Sequence, residues 1–255
     1  MTDSKTPLSW RESIQQGNFK QAEARIQALE LVGEHHPEML LAVQAMMGTT
    51  EAIRSKQFLK ALRYLPDLNP LQEFFSLSDL RMGIETLQQT EKQEERDPET
   101  LRSKLQPAWN NPFTRAEALN RIGVLQAQLG DPVQARVAFE EAIQSDPMHF
   151  RAITNLGNIA LEAGNHNEAE ALYRRALELN PEHHLAHNNL AVLLRKQKRI
   201  GASIQSLKKS QRLEQKALMQ QAREEGRQQA PAAKAGVFAL YGVILIGVIW
   251  FLLTR

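Results

Sequence analysis

"LNRIGVLQAQLGDPVQARVAFEEAIQSDP", residues 119–147, and "ITNLGNIALEAGNHNEAEALYRRALELNP", residues 153–181, align without a gap at an offset of 34. Gly123 meets Gly157, Gly130 meets Gly164, Ala135 meets Ala169, Phe139 meets Tyr173, Ala142 meets Ala176 and Pro147 meets Pro181. A third copy follows with weaker agreement. Leu190 and Ala191 fall at the positions of Leu156 and Gly157, while Ser203, Leu207 and Ser210 stand where the second copy has Ala, Tyr and Ala. Self-similarity at such a period is the mark of a stacked-repeat architecture.

The spacing has a mechanical meaning. Gly130-Asp131-Pro132 and Gly164-Asn165 each stop one helix and cap the next. Asp146-Pro147 and Asn180-Pro181 predict N-cap and first-turn pairs, because proline's missing N–H and fixed φ cost nothing there. Gly123 and Ala135, with their counterparts, are small where two helices approach closely, and Phe139 and Tyr173 fill space between neighbouring pairs. Each unit is a helical hairpin that cannot bury its apolar face alone, so stacking supplies the core.

In these positions the chain resembles the tetratricopeptide repeat family, and the resemblance covers residues 116–217. The fold expected is all-α: a solenoid of helical hairpins with units at 116–149, 150–183 and a divergent 184–217. Upstream, "GNFKQAEARI" (17–26) and "QFLKAL" (57–62) echo the family's second helix without a convincing first one. Residues 1–105 therefore read as a helical region of degenerate hairpins. Asp97-Pro98 predicts a short helix start after a charged stretch, and "QPAWNNPF" (106–113) places a linker at 106–115.

At the other end, Ala235 to Leu253 is nineteen residues without a charge, roughly 28 Å as a helix and apolar on every face. It is expected to span a membrane once, after a basic helix end and tether at 218–234. From Arg195 to Lys234 there are eleven Lys or Arg against three Glu, and only Arg255 lies beyond the apolar run. The positive-inside rule then keeps the bulk of the chain in the cytosol as a tail-anchored protein. The basic block at 195–234 can also meet anionic lipid. The N-terminus, "MTDSKTPLSW", lacks the basic start and apolar core of a secretory signal. Cysteine is absent, which removes disulfides and thiolate chemistry.

No P-loop, nucleophile elbow or zinc-protease motif occurs, so a non-enzymatic chain needing no cofactor is expected. The resemblance implies that the first helix of each pair lines a concave groove facing a protein or extended peptide. Asn120, Thr154 and Asn188 share one repeat position there, Arg121, Asn155 and Asn189 the next, and Asn158 lies one turn further along. Amide side chains carry both donor and acceptor and can pair with an extended backbone. Arg121, Arg151 and Arg195 would add carboxylate recognition. Family members that grip the chaperone C-terminal carboxylate use positions matched here by Asn120, Val124, Asn155, Leu185 and Asn189, of which only Asn155 fits.

The reading is an adaptor that recruits a protein partner to a membrane, with no nucleic acid involved. Two rival readings stand beside it: a self-assembling structural solenoid at the membrane surface, and a lipid-responsive or metal-responsive regulator using His149, His183 and His187. Imidazoles four residues apart share a helix face and can hold a metal.

Overall fold

The computed structural model describes residues 9–91, 93, 95–220, 222 and 223. No strand occurs among them. The chain divides into two compact units, Met1–Pro181 and Glu182–Arg255.

The first unit contains α1 (Trp10–Gln15), α2 (Phe19–Glu30), α3 (Pro37–Arg54), α4 (Phe58–Tyr64), a 3-10 stretch (Leu65–Glu73), α5 (Leu77–Glu91), α6 (Pro98–Lys104), α7 (Gln106–Asn110), α8 (Arg115–Gln128), α9 (Pro132–Ser145), α10 (Phe150–Glu162) and α11 (His166–Leu179). The second contains α12 (His184–Lys196) and α13, residues 200–220.

Five hairpins among the described residues are closed by one kind of turn. A residue at positive φ ends the first helix: Gly17 at 71°, Lys56 at 58°, Gly130 at 80°, Gly164 at 79° and Lys198 at 60°. The next residue's N–H reaches back to a carbonyl five positions earlier, Asn18 to Ser13 at 2.8 Å, Gln57 to Ala52 at 2.7 Å, Asp131 to Gln126 at 2.9 Å, Asn165 to Ala160 at 2.8 Å and Arg199 to Leu194 at 2.8 Å. This satisfies carbonyls that the helix end would otherwise leave unpaired. So α1–α2 and α3–α4 carry the turn of the repeats, although the first helix of each was not legible in the sequence.

Inside each repeat hairpin the glycine requirement is steric. A Cβ on Gly123 would sit 2.6 Å from the Phe139 ring, and one on Gly157 2.7 Å from the Tyr173 ring. The aromatic thus fills space within its own hairpin. Phe139 also packs with Leu156 and Ile159 of the next hairpin.

Two sequence expectations need correction. Asp146 and Asn180 do not start helices; they are extended C-caps of α9 and α11. The carboxylate of Asp146 accepts the Met148 N–H at 3.1 Å and a bidentate pair from Arg54, so a turn intervenes and α10 begins at Phe150 behind His149. The supposed linker at 106–115 is structured. It contains α7, which packs on α5, and the Thr114 hydroxyl, fully buried, donates to the Ala108 carbonyl at 2.7 Å. One apolar core runs through this point, from Ile14 through Leu80, Leu105 and Ala108 to Ala138.

Among the described residues no helix is long and apolar enough to cross a membrane. The expected span at 235–253 lies outside the described residues, as does most of the tether at 218–234.

Candidate functional site

The first helix of the first repeat, α8, carries Glu117, a carboxylate with no exposed surface. The 34-residue period makes it a neighbour of Arg151 on α10, whose Nη1 donates to Oε2 at 2.9 Å. His149 Nε2 lies 3.1 Å from the same oxygen, and Arg121 Nε donates to Oε1 at 3.2 Å. Burial opposes the charge, yet Arg151, His149 and Arg121 together hold the carboxyl well below the usual carboxylate range.

From Glu117 the network continues outward. Arg121 donates to Thr90 Oγ1 and to Glu91, both at 2.6 Å. Its guanidinium lies 5.1 Å from the Phe58 ring centre, a cation–π distance. Glu91 accepts from Lys56 at 2.8 Å. The Arg121 head is thereby fixed between α8, the end of α5 and the α3–α4 hairpin.

Above this network opens a cavity of about 580 Å³, within the size range of ligand sites. Its cationic and anionic lining comes from Lys56, Arg96, Arg121, Arg151, Glu91 and Glu95, and its apolar lining from Leu101, Val124, Leu125 and Leu129 of α6, α8 and the turn after α8. Arg96 makes no ion pair among the described residues.

The sequence-predicted residues divide. Asn120, Arg121 and Arg151 come together at this cavity. Asn120 is wholly buried, however, accepting from Asn155 Nδ2 at 2.9 Å and facing Glu117 at 3.3 Å. Thr154 is buried too and donates to the Phe150 carbonyl of its own helix. Asn158 accepts the Tyr173 hydroxyl at 2.8 Å inside the hairpin; burial, with Glu162 adding to it, holds that phenol well above its ordinary pKa. The expected ladder of ligand-facing Asn is therefore corrected at Asn120 and Thr154, which share one repeat position and turn inward, while Asn155 and Asn158 are part-buried. These side chains pair with the protein because the position faces the neighbouring helices. In the second unit, Asn188 and Asn189 are half-buried on α12, 3.5 Å apart through Nδ2 and Oδ1, and Arg195 is exposed.

The metal reading also fails at His149. It is the N-cap of α10: Nδ1 accepts the Ala152 N–H at 3.1 Å, which leaves Nε2 to donate to Glu117. Both ring nitrogens are occupied. Among the described residues no group of three or more His, Cys, Asp or Glu is placed to hold a metal ion.

Sequence reasoning missed Lys56, Glu91, Arg96 and above all Glu117. The signal for Glu117 was available: it stands four residues before Arg121, a helical ion-pair spacing, and 34 before Arg151.

Tetratricopeptide repeat family models match residues 126–172 and 154–217, so this region carries tetratricopeptide repeats. No curated protein matches the chain in sequence. Several solved structures of MamA are similar in fold. One is 15% identical, with 82% of this chain and 96% of that chain covered at a TM-score of 0.38. Another is 16% identical, with 70% and 94% covered at 0.41. A third, from AMB-1, is 19% identical, with 66% and 95% covered at 0.39. Likeness at these TM-scores carries no argument about function.

Proposed function

We propose that this chain is a non-enzymatic adaptor that holds an extended, carboxylate-bearing peptide of a protein partner in the cavity above Glu117. The observation that carries the reading is the cavity itself, with cations placed beside an apolar strip of Val124, Leu125 and Leu129. The guanidinium of Arg121 is fixed before any ligand arrives, which lowers the entropic cost of binding. The Lys56–Glu91 pair is partly exposed on both sides and worth little by itself, so a ligand carboxylate can take Lys56 over at small loss. Arg96 offers the bidentate geometry that carboxylates prefer.

The second part of the proposal is that residues 235–253 anchor the adaptor in a membrane, with the repeats on the cytosolic side. Support comes from the nineteen uncharged residues and the basic flank before them. Anchoring raises the local concentration of partner at the membrane, so a micromolar cavity suffices.

The test uses the full chain beside a Lys56→Glu, Arg96→Glu variant, both checked for helix content. A protein captured by the first and lost from the second supports the cavity as the site; identical captured sets would sink it. A chain ending at Lys234 should leave the membrane fraction, and its retention there would overturn the anchor.

A further inference from the structure

The second helix of the last hairpin, α13, differs in kind from its counterparts α9 and α11. Ser203 and Ser210 turn it toward α12, their hydroxyls donating to the carbonyls of Ala191 at 2.7 Å and His184 at 2.9 Å. Roughly a quarter-turn round the helix, Ile200, Ile204 and Leu207 form a stripe at helical spacing and are 52%, 48% and 40% exposed; Gln211 and Glu214 end it on the same face. Leu207 keeps the aromatic position of the repeat, Tyr173 in α11 and Phe139 in α9, but the two isoleucines are not inherited from it. Ile204 stands where α11 has Glu170 and α9 has Arg136, and Ile200 where they have His166 and Pro132.

The charges alongside keep the cations of α11 at two positions and reverse the carboxylates of α9. Lys208 and Lys209 replace Arg174 and Arg175 of α11 and Glu140 and Glu141 of α9, and Arg212 replaces Glu178. Between residues 200 and 220 only Glu214 is acidic. Lys216 pairs with Glu182, whereas Lys208, Lys209 and Arg212 make no ion pair among the described residues. An exposed apolar stripe with cations along one flank, Lys208 and Arg212 here, is the pattern of a helix that lies in a lipid interface.

We infer that α13 is such an interfacial helix, seating Ile200, Ile204 and Leu207 at the boundary of an anionic bilayer while Lys208 and Arg212, on one flank of the stripe, meet the headgroups. The placement rests on the anchor proposed above. Residues 221–234 can extend by at most about 50 Å, so a helix at 235–253 in the bilayer keeps α13 within reach of the surface. Bilayer contact at two points fixes how the second unit is held, where a single tether would leave it free to swing.

The chain has no cysteine, so Ile204→Cys can carry one environment-sensitive fluorophore on the full chain. The probes are phosphatidylcholine vesicles with and without phosphatidylserine, each doped with a shallow nitroxide lipid. The expected result is blue-shifted emission quenched by the nitroxide in the phosphatidylserine vesicles. Both effects should be lost when Lys208→Glu and Arg212→Glu are added, or when salt is raised. Flotation reads the anchor separately. A chain that floats with both vesicles but shows no quenching overturns the interfacial helix alone. One that floats and is quenched only with phosphatidylserine overturns the anchor and keeps the helix. One that floats with neither overturns both. Ready disulfide dimers of the unlabelled Cys variant, without quenching, would assign the stripe to a second copy.

Discussion

Glu117 carries a negative charge where water does not reach, and three basic side chains make that possible. Removing one partner of such a buried set leaves the others unpaired, a loss on the order of 3 kcal/mol. Glu117→Gln is therefore expected to destabilise the fold by about 3 kcal/mol at neutral pH, because the charge is lost and one of the two acceptor oxygens becomes an amide donor facing the basic side chains. The pH dependence has a definite sign. The folded carboxyl titrates well below its ordinary value of 4.5, so the unfolded chain takes up the proton first as the medium turns acid. The stability from Glu117 is whole above that ordinary value and is lost as pH falls toward the folded one. Denaturation at pH 7 and pH 3.5 should show a smaller drop for the variant than for the parent. Parallel drops would mean that Glu117 is not the charge that the fold protects.

The hairpin is held by a small residue and an aromatic sixteen positions apart, Gly123 with Phe139 and Gly157 with Tyr173. The Tyr173 ring is fully buried and its hydroxyl is held by Asn158, so it cannot swing away from an added methyl. Gly157→Ala should cost about 1–3 kcal/mol, read as a lowered thermal midpoint. Adding Tyr173→Leu should cost less in that background than in the parent; strict additivity would show that the close approach is not the cause. These pairs were legible because they recur with the turn glycine at a fixed period. The α3–α4 hairpin has the same device, with Gly48 facing Tyr64 at 2.8 Å, but Lys56 replaces the turn glycine and hides it. The α1 helix is only six residues long, too short to show periodicity. The site was half legible for a related reason. Repeat spacing says which residues occupy equivalent positions, yet not whether that position faces a cavity or a neighbouring helix, and Asn120 and Thr154 turned inward.

At the scale of the first unit, the upstream helices and the repeats share one core from Ile14 to Ala138, and the cavity exists only because they do. Its walls come from Lys56, from Thr90 and Glu91 at the end of α5, from Gln93, Glu95 and Arg96, from α6 and from α8; the repeats alone would leave it open on one side. On the proposed reading, an upstream region without clear repeats thereby contributes to the binding surface, with the buried charge network directly beneath. The most direct measurement places a photo-crosslinking amino acid at Gln128, which lines the cavity, and at Glu141, exposed on α9 and outside the lining. Illuminated in the full chain inside living cells, the Gln128 position is predicted to capture a discrete protein adduct that Lys56→Glu, Arg96→Glu abolishes. Equal adducts at both positions, or adducts at Glu141 alone, would contradict the cavity as the site.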